Sequence, residues 1–127
     1  MERNDIWMEH ARALIIKFVM IFAVLLIVLG LFYGLSFANI FWTSLILTVA
    51  AYLIGDLFIL PMSNNITATL CDLGLAFLGI WLIGSYMYPV DVPVALAAII
   101  SALVIMAGEW FFHRYMENQV LEQGEEA

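Results

Sequence analysis

The sequence predicts an all-α integral membrane protein: a four-transmembrane-helix, up-down bundle forming a single domain over residues 1–127. Three observations predict it. Hydrophobic residues fill 65% of the positions and charged residues only 12%, against about 45–50% and about 25% in soluble domains. Mean hydropathy is +1.04. Uncharged runs recur at the ~20-residue length that crosses a hydrocarbon core, and they are continuously apolar, without the alternation of a barrel strand.

The first helix is predicted over about residues 13–35. Arg3, Arg12 and Lys17 precede its apolar run, but a core of about 18 residues exceeds the h-region of a cleavable signal peptide, so it reads as an uncleaved span. The second, over 40–60, follows Ser36-Phe37-Ala38-Asn39 and is expected to stop at Pro61, whose ring cannot continue an α-helix. At 1.5 Å per residue it is roughly 31 Å long, matching a bilayer core. The third, over 66–88, ends before Pro89-Val90-Asp91-Val92-Pro93. The fourth, over 93–117, starts on Pro93, where the missing N–H is not needed. Connections this short make consecutive helices antiparallel neighbours.

The basic residues, Arg3, Arg12, Lys17 and Arg114, all avoid the short loops. Positive charge near span ends marks the cytoplasmic side, so both termini and the loop from Pro61 to Asn65 are expected there. Residues 118–127 form an acidic cytoplasmic tail. Together with Glu117, its Glu122, Glu125 and Glu126 account for part of the net charge of −7, and the stretch reads as a solvated helix end. Nothing is basic enough for nucleic acid. The lone Cys71 excludes an internal disulfide.

Asp56, in AYLIGDLFILP, breaks a run with no charge from Phe18 to Gly55. It lies eight residues before Asn64, and Asp72 lies eight after it. A hairpin centred there brings the two carboxylates to one depth, roughly two turns from the helix ends. Glu109 lies eight residues before Glu117, His113 follows one turn later, and Lys17 lies five residues after Arg12. Every helix thus contributes one group to a common layer: Lys17, Asp56, Asp72 and Glu109. Small residues mark close helix approach. Asp72 shares a stripe with Ala68, Ala76 and Gly79, Glu109 with Ala95, Ala98, Ala102 and Ile105, and Asp56 adjoins Ser44, Thr48, Ala51 and Gly55. Lys17 is near enough to the interface to snorkel, and His113, beside Arg114, reads as hydrated.

Three acids and one lysine leave two negative charges in a poorly hydrated layer, which demands a proton, a bound cation, or Arg12, Arg114 or His113 reaching in. The layer is then either structural, fixing helix register, or a proton or cation site built from Asp56, Asp72, Glu109, Lys17 and His113. The structural reading is favoured, because the layer is near one interface and no matching polar residues continue it to the other side. Glu109 and His113, at i and i+4, would join Asp56 and Asp72 as a mixed oxygen and nitrogen metal set. Bundle-core sites of that kind use several Glu-x-x-His pairs, whereas one pair of different spacing stands here, so no metal and no cofactor is assigned. Leu53-Ile54-Gly55-Asp56 lacks the Gly-x-Gly-Asp of intramembrane aspartyl proteases, and no nucleophile triad, phosphate loop or cysteine pair is present. A non-enzymatic protein is expected.

Gly30 and Gly34 make a small-xxx-small pair, and Gly55 and Gly79 are further positions of expected helix packing. Trp7, Phe41, Trp42, Tyr86, Tyr88 and Trp110 lie near span ends, as interfacial aromatics do. Gly55-Asp56-Leu57-Phe58 is echoed by Gly108-Glu109-Trp110-Phe111, which suggests two parallel helical hairpins.

LIIKFVMIFAVLLIVLGLFYGLSF, AYLIGDLFILP and DLGLAFLGIWLIG, together about Leu14 to Tyr88, resemble the YndM-like family of small multi-spanning membrane proteins from Bacillus-type bacteria, a domain of unknown function. The resemblance implies a bacterial plasma-membrane protein and supplies no catalytic or binding residues. The expectation is therefore a small multi-pass membrane protein of unknown molecular activity, structural or accessory in role. Its partners would be the lipid bilayer and either a second copy of itself or another membrane protein. The alternative is a proton- or cation-linked transporter or channel component.

Overall fold

The computed structural model describes residues 2–121, with side-chain surroundings for residues 7–119. Four helices are long and apolar enough to cross a membrane: α1 (Trp7–Phe32), α2 (Phe37–Met62), α3 (Asn65–Met87) and α4 (Val94–Gln119). No strand occurs among the described residues. Arg3's side chain and the acidic Glu122, Glu125 and Glu126 lie outside them.

Local chemistry sets where each span begins. Ser36 stands before α2 and its Oγ accepts the Asn39 N–H at 3.2 Å; Asn64 stands before α3 and its Oδ1 accepts the Thr67 N–H at 2.8 Å. Each satisfies one of the donors a helix start leaves open. Pro93 precedes α4, a place where its missing N–H is tolerated. Gly34 ends α1 in the left-handed conformation, with φ of 67°, while its N–H donates to Gly30 O at 3.0 Å and the Leu35 N–H to Leu29 O at 2.9 Å. That conformation costs a residue with a Cβ roughly 1–2 kcal/mol. A Cβ on Gly34 would meet nothing within 4 Å, so Gly34 turns the chain and is not a packing contact, unlike its predicted pair Gly30.

Three stretches widen into π-helix: Leu26–Phe32, Tyr52–Ile59 and Met116–Leu121. The second carries α2 through Pro61. The Leu60 N–H reaches back to Gly55 O, and the helix stops two residues past the proline, where the Ser63 N–H bonds Leu60 O at 3.3 Å. Within this wide turn Tyr52, Gly55 and Asp56 are all buried. Such π-turns are frequent at functional sites.

The bundle closes as a ring. α3 packs along α4 and α1 along α2, while α2 meets α3 and α1 meets α4. Large apolar side chains such as Val19, Leu31, Ile46, Leu53, Leu82, Val104 and Phe111 point outward, as lipid permits. Gly30 meets Ile40 at 3.3 Å and Gly79 meets Leu47 at 3.0 Å from the position a Cβ would take. The interior divides into two apolar zones. One includes Ile21, Leu25, Leu29, Ile40, Leu47, Ile80 and Ile105; the other, toward the chain termini, includes Ala13, Tyr52, Leu60, Ala68, Phe112 and Met116. A charged layer lies between them.

Candidate functional site

Each helix carries an ionisable side chain into that layer. Lys17 comes from α1, Asp56 from the π-turn of α2, Asp72 from α3, and Glu109 with His113 from α4. Lys17, Asp56 and His113 are 0% exposed, Glu109 1% and Asp72 2%. The layer expected from the loop spacing is one continuous cluster. Ala68, Ala76, Ala98, Ala102, Ser44, Thr48 and Ala51 are buried along the stripes leading to the acids, whereas Ala95 is exposed.

Lys17 Nζ is at its centre. It lies 2.9 Å from Asp56 Oδ2 and 3.9 Å from Asp72 Oδ2, donates to Glu109 Oε2, and sits 4.7 Å from the centroid of the Phe112 ring. Lys17 therefore does not snorkel: three carboxylates on three other helices draw the ammonium inward.

His113 is the second cation of the cluster, in place of the hydrated residue expected. Its Nε2 lies 2.7 Å from Asp56 Oδ1, 2.9 Å from Asp72 Oδ2 and 3.6 Å from Glu109 Oε2. Its Nδ1 lies 3.0 Å from Thr69 Oγ1 and 3.1 Å from Asn65 Oδ1. Asn65 Nδ2 donates to Trp110 O at 3.1 Å, which orients the amide with its acceptor oxygen toward the ring. Thr69 also donates to that oxygen, at 2.9 Å. Both ring nitrogens thus face acceptors, and both carry hydrogen: His113 is an imidazolium. Of the other cations considered, Arg12 instead pairs with Glu9 at 3.1 Å, and Arg114 stays exposed.

The charges now sum. Three carboxylates against Lys17 and His113 leave one negative charge, so a single proton on one carboxyl makes the cluster neutral. Asp72 and Glu109 bring carboxylate oxygens within 4.8 Å of each other, a place where one proton would relieve their repulsion. Asp72 Oδ1, Glu109 Oε1 and both oxygens of Asp56 have no hydrogen-bond partner, but those of Asp56 face Lys17 and His113, whereas Asp72 Oδ1 and Glu109 Oε1 make no ion pair. An unpartnered oxygen costs less on a neutral carboxyl than on an ionised one. Gly55 makes the arrangement possible, because a Cβ there would overlap the Asp72 carboxylate.

One atom each from Asp56, Asp72, Glu109 and His113 falls within 4.8 Å of the others, a donor set suited to a divalent transition metal by composition. The geometry is that of an ion-pair cluster instead. The Lys17 ammonium stands among the oxygens, and His113 Nε2 presents an N–H, not a lone pair, to Asp72 Oδ2.

Asn65 and Thr69 escaped the sequence reading, although Asn65, Thr69 and Asp72 recur at spacings of four and three, one face of a helix. A recess of about 390 Å³ lined by Asn64, Asn65, Ile66, Trp110, Arg114, Glu117 and Asn118 opens beside Asn65. Tyr52 Oη bonds His10 Nδ1 at 2.7 Å on the other flank. Away from the cluster, Ser44, Thr48 and Ser101 have buried hydroxyls without partners. Tyr88 is not an interfacial anchor: it is buried, with its hydroxyl 2.6 Å from Thr43 Oγ1.

A family model described as "Protein of unknown function (DUF2512)" matches residues 8–127. The match takes in the fourth helix, beyond the segments from about Leu14 to Tyr88 that carry the resemblance. The "Uncharacterized membrane protein YndM" of Bacillus subtilis (strain 168) is 37% identical over 116 residues, 91% of this chain and 65% of that protein. The chain thus spans just under two thirds of that relative's length. No solved structure matches. The chain belongs to this family of membrane proteins of unknown function.

Proposed function

We propose that the chain is a non-enzymatic component of a bacterial plasma membrane, structural or accessory to a membrane partner or a second copy of itself, with both termini in the cytoplasm. The observation that carries this reading is that one buried ion-pair cluster takes a side chain from every helix. Buried ion pairs contribute less to net stability than to uniqueness of arrangement, and a bilayer supplies no hydrophobic force to hold four helices in register. Lys17 can satisfy Asp56, Asp72 and Glu109 together only when all four helices are in place. The cluster is thus suited to presenting one fixed outer surface to lipid and partner.

The orientation follows from Arg12, Lys17 and Arg114 lying toward one end of the bundle. Against a transport path stands the polar gap beyond the cluster: Thr48 and Ser101 are each eight residues from Asp56 and Glu109, about 12 Å at the α-helical rise. The test uses Asp56→Asn and Asp72→Asn with the parent in liposomes. The accessory reading expects no pH- or cation-driven flux from the parent and altered stability in the variants. Normally folded variants that lose a flux present in the parent contradict it.

A further inference from the structure

We infer that the buried cluster is a proton-binding site, which holds one exchangeable proton on its carboxyls and trades it with water through His113 and the recess beside Asn65. This goes beyond the accessory reading: a sealed structural cluster needs only charge balance, whereas a binding site also needs a route.

Three observations converge on it. The first is the charge sum: Lys17 and His113 neutralise two of the three carboxylates, and one proton is needed for the third, with Asp72 and Glu109 oxygens within 4.8 Å of each other to hold it. The second is the set of buried carboxylate oxygens without a hydrogen-bond partner, both oxygens of Asp56 with Asp72 Oδ1 and Glu109 Oε1. Those of Asp56 face Lys17 and His113, whereas Asp72 Oδ1 and Glu109 Oε1 make no ion pair and fit a neutral carboxyl beside an ionised one. The third is the route. His113 touches the carboxylates through Nε2 and, through Nδ1, the Asn65 and Thr69 side chains, of which Asn65 lines the 390 Å³ recess together with Arg114 and Glu117. Tyr52, Phe112 and Ile105 are buried in the apolar zones that flank the layer. Among the described residues, the charged and titratable groups facing the shared proton are Lys17 from α1, Asp56 and Tyr52 from α2, and His113 from α4.

The chemistry is proton transfer alone. On release, the His113 Nδ1–H bond breaks toward a water in the recess, the bonding pair stays on nitrogen, and the ring is left neutral with hydrogen on Nε2. Uptake reforms the Nδ1–H bond. The imidazolium passes its Nε2 proton to Asp72 Oδ2, 2.9 Å away, and the carboxyls return one of their two protons to Nε2. A flip of the ring, which turns the nitrogen that met water toward the carboxyls, carries the exchanged proton across. Asn65, anchored by Trp110 O, stands across this opening as a positioned gate. The apolar gap toward Thr48 and Ser101 makes the site open to one face only.

The test is infrared difference spectroscopy of the full chain in lipid bilayers. The parent is expected to show one carbonyl-stretch band of a neutral carboxylic acid, shifted by D2O. Because the count is set by charge, Asp56→Asn, Asp72→Asn and Glu109→Gln are each expected to abolish it, and Lys17→Met to double it. His113→Gln removes the other cation, so it is expected to double the band as well and to slow its H/D exchange at least about tenfold, in line with the usual contribution of a positioned acid-base group. Asn65→Ala, at the rim, serves as a variant that leaves the five charges intact and is expected to speed that exchange. The inference is overturned if the parent shows no such band at any pH, if one equivalent of Zn²⁺ removes the band by displacing the proton, or if exchange in Asn65→Ala and His113→Gln equals that of the parent.

Discussion

Replacing Lys17 by methionine removes the centre of the cluster while nearly conserving volume. At an effective dielectric near 20, the ammonium attracts Asp56 at 2.9 Å by about 6 kcal/mol and Asp72 at 3.9 Å by about 4 kcal/mol. Most of this gross attraction is offset by the several kcal/mol that taking the ammonium out of water costs. A second limit comes from protonation. The stranded carboxylate can take up a proton, and protonating an ordinary aspartate at neutral pH costs about 4 kcal/mol. Removing one partner of a buried pair costs about 3–5 kcal/mol, so Lys17→Met is expected to lose about 3–4 kcal/mol. Reversible unfolding in mixed detergent and SDS micelles reads this directly. The loss should shrink as pH falls, because an added proton replaces the missing ammonium. Lys17→Met combined with Asp56→Asn restores the parent's proton count and is expected to recover at least about 2 kcal/mol relative to the sum of the single losses. A Lys17→Met protein within about 0.5 kcal/mol of the parent, or a double variant that loses the full sum, refutes the reasoning.

Other substitutions probe other links. Gly55→Ala places a methyl against the Asp72 carboxylate and is expected to cost about 1–3 kcal/mol, read in the same unfolding assay; an unchanged midpoint contradicts it. Gly34→Ala meets open space yet must adopt a φ of 67°, so it is expected to lose about 1 kcal/mol from backbone strain alone, whereas Gly34→Asn should lose less. Tyr88, outside the spans, has its hydroxyl raised above the ordinary 10.0 by burial, against the opposing Thr43 bond. The folded state holds that proton more tightly than the unfolded state, so the associated stability is present below pH 10 and lost as pH rises further. Tyr88→Phe is expected to cost about 1 kcal/mol at neutral pH and to flatten the alkaline fall in melting temperature.

Much of this architecture can be read from the sequence because membrane insertion imposes a length and polarity rule on each span. The depth of the charged layer is legible for a related reason. Asp56 and Asp72 are equidistant from Asn64, and an antiparallel hairpin turns equal sequence separation into equal depth. What is not legible depends on side-chain direction across helices. His113 next to Arg114 resembles a surface pair, and only the packing of α3 on α4 shows its ring held between Asp72 and Asn65. The π-turn at Tyr52–Ile59 has no composition signal, yet it is there that Tyr52, Gly55 and Asp56 become buried together. The two glycines of LGLFYGL also look equivalent in sequence, but Gly30 packs against Ile40 and Gly34 serves a left-handed turn. Pro61 signals a stop that arrives at Ser63, because the chain leaves the wide turn before it breaks.

Lys17 and His113 pair with carboxylates from α2, α3 and α4 in one buried cluster. Solid-state NMR on uniformly ¹³C,¹⁵N-labelled protein in lipid bilayers tests it most directly. Through-space correlations are expected from Lys17 Nζ to the carboxyl carbons of both Asp56 and Glu109, together with two protonated ring nitrogens on His113 at neutral pH. A Lys17 Nζ that correlates with lipid headgroups or water and with neither carboxyl contradicts it.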